Sequence, residues 1–170
     1  WIYDYLMSTL ELINSGKFRE IKGFYFFGPT GTGKSYITYS MVKYLRALLC
    51  TSPIPVRVCS FPNFLSNLRT VFDKENSRVE NDSVTEILEN DCDFLFIDDL
   101  GIEKISDWNT EILYRLINYR YEHKLPTYIS TNLTLDELAT QRGDRISSRI
   151  AEMCTLKKIG GMDRRIDINK

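Results

Sequence analysis

The run Gly28-Pro29-Thr30-Gly31-Thr32-Gly33-Lys34-Ser35 follows the apolar stretch Gly23-Phe24-Tyr25-Phe26-Phe27 and precedes a helical pattern that opens near Tyr36. Its spacing is G-x-x-x-x-G-K-[ST]. Between a strand and a helix, that spacing is a phosphate-binding loop. Glycines let the backbone take positive φ and approach an anion with no Cβ in the way, so that successive amides converge on one phosphate. Lys34 is then placed to reach the β and γ phosphates and Ser35 to ligate Mg²⁺ through its hydroxyl. The N-terminus of the following helix adds positive partial charge. The nucleotide-binding run is read as Gly28 to Tyr36.

The loop needs a sheet and helices around it, and a chain of 170 residues with 43% hydrophobic content can build them around a sizeable core. With 22 Lys and Arg against 23 Asp and Glu, the chain does not coat nucleic acid by bulk charge, and any such contact is local. Cys50, Cys59, Cys92 and Cys154 are far apart, with no C-x-x-C pattern. They read as small buried apolar residues in a reduced, cytoplasmic setting. No apolar run approaches the roughly 18 residues of a membrane span, and there is no signal-peptide pattern, so no membrane partner is expected. The first residue is Trp1 rather than Met, and the chain reads as the C-terminal part of a longer protein, residues 1–170 forming a single nucleotide-binding domain.

Taken in order, Ile2, Leu6, Leu10 and Ile13 recur at helical spacing up to a stop at Asn14-Ser15-Gly16. Gly23 to Phe27 is an unbroken apolar strand, as in a parallel sheet covered on both faces. A helix from Tyr36 to Leu49 follows, then a strand from Val56 to Ser60 and a helix opening at Phe61-Pro62-Asn63. Asp73 to Asp82 reads as a polar loop and Val84 to Leu88 as a short helix. Asp93 to Ile97 is a second buried strand, Trp108 to His123 a long amphipathic helix anchored by Trp108, and Thr127 to Thr131 a strand. Helices at Leu133 to Thr140 and Ile146 to Met153 and a strand from Cys154 to Ile159 complete the pattern. Alternating strands and helices predict a three-layer α/β sandwich with a mainly parallel sheet and its ligand at the carboxyl ends of the strands.

Two further stretches fall at those carboxyl ends. Phe94-Leu95-Phe96-Ile97-Asp98-Asp99 is an apolar strand ending in two acids, which delivers carboxylates beside the Mg²⁺ of a phosphate loop. Asp98 is read as the metal residue and Asp99 as the residue that orients and deprotonates the attacking water. The strand Thr127 to Thr131 leads into Asn132, placed to sense the γ phosphate or, alternatively, to cap a turn.

GPTGTGKS, FLFIDDLG, YRYEHKLPTYISTN and RISSRIAE followed by GGMDRR together resemble the AAA+ domain of bacterial DnaC/DnaI-type replicative helicase loaders, from about Gly23 to Arg165. The related IstB-type transposition helpers are similar. The resemblance implies an AAA+ P-loop NTPase that binds ATP or ADP with Mg²⁺ and hydrolyses ATP. It also implies a replicative DNA helicase and single-stranded DNA as partners. Arg149 matches the arginine finger that a neighbouring subunit supplies, which implies self-association or an AAA+ neighbour; Arg145 is a second candidate. Arg165 matches the arginine of the family's G-x-D-x-R pattern at the nucleotide. A surface ion pair with Asp144, Glu152 or Asp163 is the alternative for Arg149 and Arg165. The family often has Glu where Asp99 stands, and the shorter side chain implies slower water activation. The chain has no room for a full helical lid.

Tyr119, Tyr121 and His123 beside Arg120 and Lys124 offer a base-stacking reading, but helical spacing assigns Tyr114, Ile117 and Tyr121 to the core. Lys157, Lys158, Arg164 and Arg165 form a modest basic cluster, either a solvated face or the local DNA contact. Against the loader stand three other readings: a transposition helper on duplex DNA, a nucleotide-controlled binding module with negligible turnover, and a small-molecule kinase. The kinase needs an acceptor pocket and an arginine-bearing lid for which the sequence gives no sign.

Overall fold

The computed structural model describes residues 1–74 and 92–165. In chain order the elements are α1 (Ile2–Asn14), a 3₁₀ turn (Phe18–Glu20), β1 (Gly23–Phe27), α2 (Lys34–Leu48), β2 (Val56–Ser60) and α3 (Phe61–Lys74). After the undescribed segment come β3 (Phe94–Leu100), α4 (Asp107–Glu122), β4 (Thr127–Thr131), α5 (Leu135–Arg142), α6 (Asp144–Met153) and β5 (Cys154–Lys158). Asp73 and Lys74, expected at a loop, are the last residues of α3. The rest of that loop and the short helix expected at Val84 to Leu88 lie outside the described residues.

All strand pairs are parallel, in the order β2-β3-β4-β1-β5. Alternation along the strands divides the core in two. Phe24 and Phe26 of β1, Phe94 and Phe96 of β3 and Tyr128 of β4 face α1 and α2, where Leu6, Met41, Val42 and Leu45 meet them. Tyr25, Leu95, Ile97 and Ile129 face the other way, against α3, α4, α5 and α6 through residues such as Leu65, Leu113, Ile117, Leu138 and Ile150. The Phe96 and Tyr128 rings stack at 4.1 Å between centroids, a contact worth about 0.5–1.5 kcal/mol beyond its buried area. Tyr114 and Tyr121 are only partly buried, whereas Ile117 is fully so.

Element boundaries differ from the sequence reading for local reasons. Gly33, at φ +96, is the N-cap of α2, so the helix begins at Lys34 rather than Tyr36. Thr134 and Glu137 form a capping box, with Thr134 N donating to Glu137 Oε2 at 2.7 Å, which moves the start of α5 from Leu133 to Leu135. Of the cysteines, Cys92 and Cys154 are buried but Cys50 is exposed and Cys59 half-buried, so the uniform burial expected of the four fails just past α2 and on β2.

At the amino ends of β3 and β4, Arg120 is wholly buried. It donates to the carbonyl oxygens of Cys92 (3.0 Å), Asp93 (2.8 Å) and Pro126 (2.9 Å) and to Thr127 Oγ1 (2.7 Å). A five-donor planar cation suits a place where several strand-end carbonyls converge without water. Arg120 therefore ties α4 to the sheet at the edge opposite the phosphate loop. In the stretch that offered a base-stacking reading, His123 stacks on Tyr119 at 4.0 Å between ring centroids, and Tyr121 Oη donates to Glu152.

Candidate functional site

The loop between β1 and α2 turns through Gly28, Gly31 and Gly33, all at positive φ. Thr32 Oγ1 donates to Pro29 O at 2.9 Å and closes the turn. Gly33 supplies no side-chain cap to α2, so the first amides of that helix face the loop with no acceptor from the cap residue. Lys34 folds back over the loop: its Nζ donates to Gly28 O (2.8 Å), Pro29 O (2.7 Å) and Asn132 Oδ1 (2.8 Å). Burial lowers the pKa of this ammonium, while Asp99 and Asp98 oppose the shift. Pro29, Thr30 and Tyr36 are exposed on the rim.

Next to Lys34, Ser35 Oγ donates to Asp98 Oδ1 at 3.0 Å, and Ser130 Oγ of β4 donates to the same carboxylate oxygen. The strand expected from Asp93 to Ile97 runs from Phe94 to Leu100 instead. Pairing with β4 continues to Leu100 through a bulge: Ile97 pairs with Ile129, but Leu100 pairs with Thr131. The extra residue on β3 throws Asp99 into the left-handed region at φ +58, a conformation Asp tolerates better than most residues. The bulge separates the two acids. Asp98 is buried against Ser35 and Ser130, and Asp99 is turned out and half-buried. Burial and then the nearby Asp98 raise the pKa of Asp99, with Lys34 and Arg165 pulling it back.

The segment after β3 is also pinned. Glu103 accepts from Gly101 N at 3.0 Å and from Arg142 Nη2 at 2.5 Å, a pair whose side chains are 6% and 0% exposed.

Past β5 the chain crosses the loop. Ile159 N donates to Phe27 O at 2.8 Å and Arg164 N to Gly31 O at 3.0 Å. The Asp163 carboxyl lies where a Cβ on Gly31 would be, and it accepts from Arg165 N at 2.9 Å. Arg165 thus comes into the electrostatic surroundings of Lys34 and Asp99. The fit to a nucleotide and a hard cation rests on these observations. The first turn of α2 presents its amides, a lysine is held by neutral oxygens, and a hydroxyl and a carboxylate are paired at 3.0 Å.

Arg149 stands elsewhere, on α6 against α4. Its guanidinium lies over the rings of Tyr114 (5.2 Å) and Tyr121 (5.6 Å), and Nη1 donates to Arg145 O at 3.1 Å. Its Nε has no hydrogen-bond partner, and among the described residues Arg149 forms no ion pair. Arg145 is exposed at the end of α6 nearer α5. Sequence reasoning missed Ser130 as a partner of Asp98 and Asp163 as a neighbour of Gly31. Ser130 lies in the run Ser130-Thr131-Asn132, whose polar side chains at the end of a buried strand are the signal that could have found it.

A parallel sheet with β1 between β4 and β5, a glycine loop capping α2 and an acid on the neighbouring strand define a P-loop nucleotide-binding domain of the AAA+ type. The model of the family described as IstB-like ATP binding protein matches residues 11–161, and the chain belongs to that family. It is 28% identical over 133 residues to the phage-like element PBSX protein XkdC of Bacillus subtilis (strain 168), covering 75% of this chain and 46% of that protein. It is 26% identical over 135 residues to the replicative helicase loader DnaC of Escherichia coli (strain K12), covering 77% and 51%. The crystal structure of the DnaC helicase loader superposes with a TM-score of 0.69 at 27% identity, covering 82% of this chain and 78% of that one. The chain spans about half the length of the curated relatives it matches. Among the described residues no helix is long and apolar enough to cross a membrane.

Proposed function

We propose that this domain binds Mg-ATP and hydrolyses it slowly, and that it serves a helicase loader that places a replicative helicase on single-stranded DNA. The observation that carries the ATP site is the convergence of three strands on two adjacent residues. Lys34 meets Asn132 from β4, and Ser35 meets Asp98 from β3, directly behind the β1 loop. In this reading the loop amides and Lys34 hold the phosphates, and Ser35 and Asp98 hold Mg²⁺. The metal, when bound, offsets charge on the phosphate oxygens. Asp99 accepts a proton from the attacking water, Asn132 fixes Lys34 and faces the terminal phosphate, and Arg165 approaches the nucleotide from the tail.

Arg149 is assigned to a neighbour's ATP. Its positive charge is held by two tyrosine faces rather than by a carboxylate, and so stays available to an anion outside the subunit. The loader role is supported by the likeness to DnaC across most of the chain.

The test is capture of a replicative helicase by the intact protein in ATP and in ADP, together with single-turnover hydrolysis with and without single-stranded DNA. Nucleotide-dependent capture and DNA-stimulated turnover support the loader. Capture of a transposase instead, with duplex DNA as the stimulant, identifies a transposition helper. No turnover in any condition leaves a nucleotide-controlled binding module.

A further inference from the structure

The phosphate loop and the tail Ile159 to Arg165 lie 124 or more residues apart along the chain, yet two backbone hydrogen bonds latch the tail down, Ile159 N to Phe27 O at the end of β1 and Arg164 N to Gly31 O in the loop. Between these bonds the tail sets an acid, not a base, against the middle of the loop. The Asp163 carboxyl fills the space that Gly31 leaves by having no Cβ, and the Arg164 side chain lies beside Gly33. Gly31 at φ +79 is therefore required twice, by its backbone conformation and by its neighbour. A carboxylate packed beside a loop that would receive phosphate repels the ligand, and an arginine one or two residues further on attracts it.

We propose that Asp163 is a positioning residue that governs entry of phosphate to the loop, the tail serving as a strap that exchanges Asp163 for arginine as the nucleotide binds. The inference rests on the reading of Gly28 to Ser35 as the ATP site. In the arrangement seen here Asp163 Oδ1 accepts from Arg165 N, so the acid also holds the turn that carries Arg165. When phosphate enters, like-charge repulsion releases Asp163 from Gly31, the Arg164 N to Gly31 O bond opens, and the arginines approach the anion. Arg165 already lies close enough to influence Lys34 and Asp99.

Asparagine at position 163 keeps the oxygen that accepts from Arg165 N and removes the charge, which separates the electrostatic role from the turn. In the intact protein, Asp163→Asn is expected to bind Mg-ATP about three- to tenfold more tightly at low salt, the gain shrinking as salt screens the repulsion. A second measurement does not depend on the variant. Hydrogen exchange at the Arg164 amide of the wild-type protein should quicken when Mg-ATP is added to saturation. Wild-type affinity in Asp163→Asn, or an Arg164 amide that exchanges no faster with Mg-ATP bound, overturns the strap while leaving the ATP site standing. A wild-type protein that binds no Mg-ATP overturns both.

Discussion

Asn132 Oδ1 accepts a hydrogen bond from Lys34 Nζ at 2.8 Å, which joins the end of β4 to the start of α2 across 98 residues of sequence. In the proposed ATP site, the lysine of the phosphate loop is thereby aimed by the strand assigned to the terminal phosphate. Asn132→Ala should leave Mg-ATP affinity within a few-fold of wild type, because the loop amides remain. It should slow hydrolysis about a hundredfold, the scale seen when one stabilising group of a reacting centre is removed. Equilibrium titration beside single-turnover kinetics separates the two effects.

The bulge that parts Asp98 from Asp99 predicts that the two acids fail differently. Asp98→Asn weakens binding in Mg²⁺ but not in its absence, since the residue shares its oxygen with Ser35. Asp99→Asn keeps nucleotide bound and stops turnover. Because burial and Asp98 raise the pKa of Asp99, its protonated fraction at a given acidic pH exceeds that of an ordinary carboxyl. Turnover should accordingly rise with pH through a limb displaced upward from the usual carboxylate range. Arg165 pulls that pKa down, so Arg165→Ala should move the limb to still higher pH.

Arg120 and the Glu103–Arg142 pair carry stability. Arg120→Ala leaves three carbonyls and a hydroxyl buried without their donor, and is expected to cost about 3–5 kcal/mol. Arg120→Lys should recover little of it, since a point charge cannot span the same acceptors. Glu103→Ala strands a buried guanidinium, at a similar cost of about 3–5 kcal/mol. It should also slow turnover, because Glu103 holds Gly101 two residues beyond Asp99. Urea unfolding gives the stabilities; values within about 0.5 kcal/mol of wild type would contradict the assignment.

The parts legible in the sequence are those written in local pattern. The loop shows in its spacing, β1 and β3 in unbroken apolar runs, and the placing of Asp98 in the strand that delivers it. What pattern did not show depends on contacts between distant residues. The bulge at Asp99 exists because β3 carries one residue more than β4 between two pairings, a fact about register. Arg120 entered the sequence reading only as a charge beside aromatic residues, and only the meeting of β3 and β4 with α4 makes it an interior clamp. Arg149 had Glu152 within reach three residues on, but Glu152 is taken by Tyr121 and the guanidinium lies on two rings.

Arg149→Ala should bind Mg-ATP like wild type and lose the rise in specific activity that comes with protein concentration. Supply of an arginine in trans is worth about 10³ to 10⁵ in rate in GTPase systems. Mixing Arg149→Ala with Lys34→Ala, each inactive alone, should restore hydrolysis where an intact loop meets an intact arginine. Co-assembly without recovery means that Arg149 acts within its own subunit or has only a structural role.

Lys34 and the loop beneath it are proposed to hold ATP, and the direct measurement is titration of a fluorescent ATP analogue into the wild-type protein and Lys34→Ala, with circular dichroism confirming that both are folded. Lys34 contacts two loop carbonyls and Asn132, so its loss should leave the fold in place while nucleotide binding disappears. Saturable binding to the wild type and none to the folded variant is the predicted result. Equal affinity in the two would contradict it.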